Sequence, residues 1–261
     1  MNNKETALIT GASSGIGYEL SRLFAQDGYN LVLVARNKEV LDQLADELEK
    51  EFEISTKVIS KDLSVAASPK EIFDELRQES IRVDVMVNNA GFNVYGNFSE
   101  TDLKKELQMI QVHIVSLTRL TKIFLPWMLK QGCGRILNVC STGSFVPCPL
   151  DAVYCATKAY VLSFSEAIAE ELQGTGVTVT ALCPGVTWTR FQERAQMPRD
   201  LRLFKFGAMD AKTVAETGYR GLMKGKRIVI PGIYNKLQVF LLKFTPGRMA
   251  TKMTKYYMDK R

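Results

Sequence analysis

Tyr154 and Lys158 lie four residues apart in VYCATKAYVLSFSEAIAEEL (153–172), a stretch with a helical apolar period, so the two side chains share one helix face. A free phenol ionises near pH ~10, too high for easy proton exchange at neutrality. An ammonium beside it favours the phenolate, which makes the pair an adjustable proton donor and acceptor. Ser141 stands thirteen residues before Tyr154, just past the strand-like run RILNVC (135–140). From there a hydroxyl can donate to a substrate oxygen and fix its orientation. A helical Tyr/Lys pair alone is more often structural than catalytic. The spacing to Ser141, together with a glycine loop near residue 10, shifts that balance towards chemistry.

That loop reads Thr10-Gly11-Ala12-Ser13-Ser14-Gly15-Ile16-Gly17. It joins the strand-like TALIT (6–10) to the helix-like YELSRLFAQDG (18–28). Small residues let a backbone approach a pyrophosphate, and a helix N-terminus offers N–H donors and the positive end of its dipole. A simple tight turn is the alternative, but the strand–loop–helix placement is the one phosphate binding requires.

Elements able to hold these groups follow from the apolar pattern. Strand-like runs at 6–10, 31–35, 56–60, 83–88, 135–140, 177–183 and 227–230 alternate with helix-period segments such as EVLDQLADELEKEF (39–52). Several runs are continuously apolar, as parallel strands covered on both faces should be. The expected fold is α/β: a single-domain, doubly wound, Rossmann-like parallel sheet of about seven strands, with helices on both faces. The catalytic domain is expected over 1–232, with a substrate loop at about 188–210 and a basic amphipathic extension over 233–261. That loop lacks a strong period and follows a strand's carboxyl end, where open α/β sheets bind ligands; a plain surface loop is the other reading.

The motifs continue in order along the chain. Asn88-Asn89-Ala90-Gly91 follows the fourth strand, Ser141 the fifth, then Tyr154 and Lys158, then Pro184-Gly185-Val186-Thr187-Trp188-Thr189. Together with the loop's TGxxxGxG spacing, these resemble the NNAG, YxxxK and PGxxxT motifs of the short-chain dehydrogenase/reductase family, over all but about the last thirty residues. The resemblance implies hydride transfer between a nicotinamide cofactor and a carbonyl or alcohol carbon. Tyr154 would be the acid/base. Ser141 would polarise the carbonyl, and Lys158 would lower the phenol pKa, helped by the oxidised nicotinamide, and grip the ribose. It also implies cofactor contacts from Gly11, Ser13, Ser14, Gly15, Ile16, Gly17, Asp62, Leu63, Asn89, Ala90, Gly91, Tyr154, Lys158, Pro184, Gly185, Thr187 and Thr189. A homodimer or homotetramer through the Tyr154 helix and its predecessor is implied as well.

Two positions modify the expectation. Ala35 stands where NAD-preferring relatives carry an aspartate, and Arg36 follows it. A guanidinium can fork onto a 2′-phosphate, so NADP(H) is the expected cofactor; Arg36 as a merely solvated charge is the alternative. His113 stands where the family usually has an asparagine, in an apolar stripe with Ile110, Ile114, Leu117 and Leu120. Its ring could relay a proton in catalysis, or it could be a buried, hydrogen-bonded core histidine. Under a third reading the chain is a non-catalytic NADP(H)-binding sensor or scaffold.

The chain has 261 residues and a net charge of +6. Residues 224–261 hold ten Lys/Arg and one acid, while the remainder is slightly acidic. Leu237, Phe240, Leu241 and Phe244 fall at helical spacing in that basic tail. The tail could touch an anionic membrane peripherally, cover a core edge or dock a partner subunit. No nucleic-acid motif accompanies it, so nucleic acid is not an expected partner. Five cysteines without a CxxC pair, and a single histidine, point to free thiols and no metal site. With neither a leader-like segment nor an uninterrupted run of ~18 apolar residues, a cytoplasmic location is expected. Phe92, Phe145, Val146, Pro147, Cys148, Trp188 and Phe191 make the substrate region largely apolar, which suits a hydrophobic carbonyl or alcohol, including a lipid or ketoacyl carbonyl at a membrane surface.

Overall fold

The computed structural model describes residues 4–189, 191–195, 197–198, 200–205 and 208–259. Its first half alternates strand and helix: β1 (Thr6–Thr10), α1 (Gly15–Gln26), β2 (Asn30–Ala35), α2 (Lys38–Phe52), β3 (Thr56–Ser60), α3 (Ser68–Gln78) and β4 (Val85–Asn88). There follow α4 (Leu103–Ile110), a π-helical segment (Gln111–Ser116), α5 (Leu117–Gln131), β5 (Gly134–Val139), a 3₁₀ turn (Thr142–Phe145), α6 (Ala152–Glu171) and β6 (Val177–Leu182). After β7 (Thr187–Trp188), α7 (Phe191–Arg194), a second 3₁₀ turn (Arg202–Lys205) and β8 (Met209–Asp210), the chain ends in α8 (Ala211–Met223), β9 (Ile228–Val229), α9 (Ile233–Leu242) and α10 (Gly247–Met258).

Seven strands form one parallel sheet in the order β3-β2-β1-β4-β5-β6-β9, as the sequence pattern leads one to expect. Alternate residues of each strand feed two apolar layers. Ala7, Ile9, Leu31, Leu33, Val85 and Val87 join one core with Leu20, Phe24, Leu41, Leu48 and Val214 from α1, α2 and α8. Leu8, Val32, Val34, Met86, Ile136 and Val179 join the other, with Ile72, Leu76, Leu120 and Phe124 from α3 and α5. Both faces are covered, so both sets of side chains are largely apolar, and β1, β2 and β4 read as near-continuous hydrophobic runs.

The chain winds outward from β1 to β3, then returns to place β4 on the other side of β1. That reversal opens a crevice at the carboxyl ends of β1 and β4. Of the expected substrate loop, residues 190, 196, 199, 206 and 207 lie outside the described residues. β7 and β8 pair across it as a second, two-stranded sheet, Thr187 opposite Met209.

α9 docks on the turn after β6. A Cβ on Gly185 would meet the Asn235 side chain at 2.4 Å, and Asn235 in turn donates to the Pro231 carbonyl at 2.8 Å. Among the described residues no helix is long and apolar enough to cross a membrane.

Candidate active site

The glycine loop is shaped by its neighbours. Gly11 has φ +69° and Gly15 φ +59°, a region that glycine enters without steric cost. A Cβ on Gly11 would meet Asn89 Nδ2 at 2.8 Å, and one on Gly17 would meet the Gly11 carbonyl oxygen at 2.3 Å. Asn89 donates to the Thr10 and Gly11 carbonyls at 2.9 and 3.2 Å. The backbone N–H groups of Asn89 and Ala90 both donate to the Thr10 hydroxyl, at 3.0 and 3.1 Å. The loops after β1 and β4 are thus tied into one cradle beside the start of α1, where Ser14 is the N-cap and its side chain makes no capping bond. A cradle with no room for side chains, facing a helix N-terminus, fits the pyrophosphate of a dinucleotide.

This cradle lines a cavity of about 1360 Å³. Typical small-molecule sites occupy roughly 300–1,000 Å³, so there is space for a dinucleotide and a second ligand. Of the expected cofactor and catalytic residues, all but Gly17 and His113 line it. Gly17 stands one residue deeper, where it lets α1 close on the loop. Arg36 is exposed at the end of β2, beside Asn37, and its guanidinium makes no ion pair among the described residues. The Asp62 carboxylate accepts from the Ser64 N–H at 2.8 Å, and the Leu63 carbonyl accepts from the Ser116 hydroxyl at 2.6 Å.

Ser141, Tyr154 and Lys158 line the same cavity. Ser141 caps the first 3₁₀ turn and accepts from the Gly143 N–H at 3.0 Å. Ser144 then reaches across to the Lys158 carbonyl at 2.9 Å, binding this turn to α6. Lys158 is buried, its ammonium donating to the Val139 carbonyl at 2.8 Å, and sits 5.7 Å from the centre of the Tyr154 ring. Burial lowers its pKa to about 8, bringing a normally permanent cation near neutrality. The phenol departs from expectation. Desolvation pushes Tyr154 above its ordinary range, the nearby Cys155 and Asp151 push the same way, and hydrogen bonding with Ser141 opposes them. In the protein by itself the lost hydration of the phenolate therefore dominates, and the Tyr154 phenol is neutral. Hydrogen bonding with Cys148 and burial also push up the Cys155 thiol, so that cysteine stays protonated.

His113 lies behind Tyr154 in the π segment, its ring centre 5.8 Å from that of the tyrosine. Sequence periodicity puts it in line with Ile110 and Ile114. The π segment widens the turn and rotates the face, so Met109, Val112, His113, Ser116, Leu117 and Leu120 are buried while Ile110 and Ile114 are only half-buried. The imidazole Nε2 accepts from the Phe92 N–H at 3.2 Å, and Nδ1 lies 2.8 Å from the Thr157 hydroxyl. A backbone N–H can only donate, so Nε2 carries no proton and Nδ1 does. Thr157 accepts that proton's bond and donates to the Tyr154 carbonyl at 2.7 Å. Burial, with the Lys158 charge, depresses the histidine pKa and keeps the ring neutral. Gly91 is the complement of this ring: a Cβ there would lie 2.6 Å from Nε2.

A second buried group escaped the motif reading. Asp151 occupies the N-cap position of α6, one turn before Tyr154, makes no side-chain capping bond, is 6 % exposed, and borders the cavity. The Asn93 amide donates to it at 3.0 Å, yet burial raises its pKa to about 7. A lone carboxylate between apolar PCPL (147–150) and the helix is the signal in sequence, but it resembles an ordinary N-cap. Nor does the sequence indicate that Tyr234, Leu237, Leu241 and Met253, from α9 and α10, line the same cavity.

The short chain dehydrogenase family model matches residues 5–199, which include the cradle and the Ser141, Tyr154 and Lys158 positions. The chain belongs to this family. An uncharacterized oxidoreductase of Staphylococcus epidermidis is 31% identical over 82% of this chain and 91% of its own length. A short-chain dehydrogenase from Sphingobium yanoikuyae, solved in complex with NADPH, superimposes with a TM-score of 0.84 at 32% identity, covering 92% of each chain. A 7beta-hydroxysteroid dehydrogenase structure gives a TM-score of 0.86 at 27% identity over 96% of each chain. The protein is therefore an oxidoreductase built on a nucleotide-binding Rossmann-like domain.

Proposed function

We propose that this short-chain dehydrogenase reduces hydrophobic ketones or aldehydes, or oxidises the matching secondary alcohols, with NADP(H). The observation that carries this reading is that Ser141, Tyr154 and Lys158 line the same cavity as the glycine cradle, with the Lys158 ammonium 5.7 Å from the centre of the Tyr154 ring. When bound, the nicotinamide exchanges the hydride. The chain's residues handle the proton and the charge. A neutral Tyr154 is suited to donate to the oxygen of a carbonyl as negative charge builds there, while Ser141 donates a second hydrogen bond to the same atom. Lys158, fixed by Val139 and with its pKa near neutrality, steadies the phenolate left behind. In the alcohol-oxidising direction the same groups work in reverse.

Arg36 supports NADP(H) over NAD(H). Its guanidinium, without an ion pair among the described residues, stands at the strand end where a 2′-phosphate would lie, with no carboxylate at residue 35 to repel that phosphate. The NADPH-bound relative agrees in kind. His113 we assign to positioning. Both its nitrogens are engaged, so it ties the loop after β4 to α6 through Thr157 and leaves no lone pair to relay a proton. Association of copies through α4–α6 is supported by exposed Leu103, Leu107, Val115, Leu129 and Tyr160 on those helices.

Turnover of NADPH with aryl and alkyl ketones tests the proposal. Tyr154→Phe should lose at least ~100-fold in kcat, the lower range of general acid catalysis, while NADPH still binds. Undiminished turnover by that variant overturns the mechanism.

A further inference from the structure

α9 turns its apolar side away from the protein. Its inward positions are Asn235 and Val239, whereas Ile233, Leu237, Phe240, Leu241 and Phe244 form an outward stripe at helical spacing. Phe244 is 73 % exposed and Ile233 72 %. α10 continues the pattern with exposed Met249 and Met253, while Ala250 and Met258 face inward. A water-facing helix normally shows the opposite arrangement, and apolar exposure on this scale marks a contact surface.

The charge on the same two helices narrows what that contact is. Lys236, Lys243, Arg248, Lys252 and Lys255 flank the apolar stripes, and no Asp or Glu occurs between residues 233 and 258. A second copy brought face to face would set five cations against five. An anionic bilayer accepts both features together, since its headgroups take the lysines and its acyl boundary takes the phenylalanines. The hairpin is also anchored to the body. The Tyr95 hydroxyl donates to the Met258 carbonyl at 2.5 Å, and Arg202 stacks 4.0 Å above the Tyr256 ring.

We infer that the α9–α10 hairpin docks this protein on an anionic lipid surface. The stripe and the substrate cavity share side chains, because Leu237, Leu241 and Met253 are exposed on the hairpin and also line the cavity. A ligand dissolved in the bilayer therefore meets the cavity mouth directly. This last step rests on the proposed carbonyl reduction, whereas the docking does not.

The test is co-flotation of the full chain with vesicles of phosphatidylcholine alone and of phosphatidylcholine with phosphatidylglycerol. The protein is expected to float with the anionic vesicles, at least about tenfold more than with neutral ones, and to be released in part by high salt. Phe240→Glu with Phe244→Glu changes two exposed side chains that do not line the cavity, so the fold and NADPH binding should persist while flotation is lost. Wild-type protein that stays at the bottom with both vesicles overturns the inference. So does flotation unchanged in the double variant, or a double variant that merely turns a dimer into a monomer in size-exclusion chromatography, which would assign the face to a second copy. Because the readout needs no turnover, failure of the docking and failure of the reductase assignment are separable.

Discussion

Replacing Asp151 with asparagine should stabilise the protein in a pH-dependent way. The carboxyl is 6 % exposed, receives one hydrogen bond from Asn93, and has its pKa raised from 3.8 to about 7 by burial. A raised carboxyl pKa means the folded state keeps its proton after the unfolded chain has lost it. Stability therefore falls as pH rises from the unfolded value of about 4 to the folded value of about 7, and is level above that. At ~1.4 kcal/mol per pH unit, the full penalty at pH 8 is on the order of 4 kcal/mol, a large share of the ~5–15 kcal/mol that holds a domain folded. Asparagine mimics the protonated acid: its carbonyl still accepts from Asn93 and it never ionises. Urea unfolding of both proteins between pH 4 and pH 8 measures the effect. The variant should match wild type near pH 4 and exceed it by roughly 4 kcal/mol at pH 8. A difference that does not change with pH would refute the claim that burial of this carboxyl, rather than packing, sets its energy.

The other predictions concern single contacts. Arg36→Asp should weaken NADPH binding by roughly 10–100-fold, the worth of a charge-assisted fork, while improving NADH; fluorescence titration measures both, and tighter NADPH binding by the variant would remove Arg36 from the argument. Gly91→Ala pushes a methyl into His113 and should destabilise by about 1–3 kcal/mol in thermal or urea unfolding, an effect that His113→Asn should relieve in the double variant. The depressed His113 pKa makes the folded state bind fewer protons than the unfolded chain below about pH 6.5. Wild type should therefore lose stability as pH falls through that value, and His113→Asn should lack that part of the slope.

Much of this protein is written in its sequence because the physics involved is local. A parallel strand buried on both faces is largely apolar, so β1, β2 and β4 stand out as hydrophobic runs. A cradle with no room for a Cβ must be glycine, so Gly11, Gly15 and Gly17 are visible between strand and helix. Tyr154 and Lys158 share a face because 3.6 residues make a turn. The tertiary structure decided the rest. The π segment moved His113 out of line with Ile110 and Ile114, and its ring lies against Gly91 and Thr157, far away in sequence. Whether Lys158 or desolvation governs the Tyr154 phenol turns on how much water the assembled pocket excludes. Asp151 reads as a helix cap until Asn93 and the loop after β4 bury it. The outward stripe of α9 is amphipathic in sequence alone, but only its docking through Asn235 and Val239 fixes which side meets the protein and which is left for a partner.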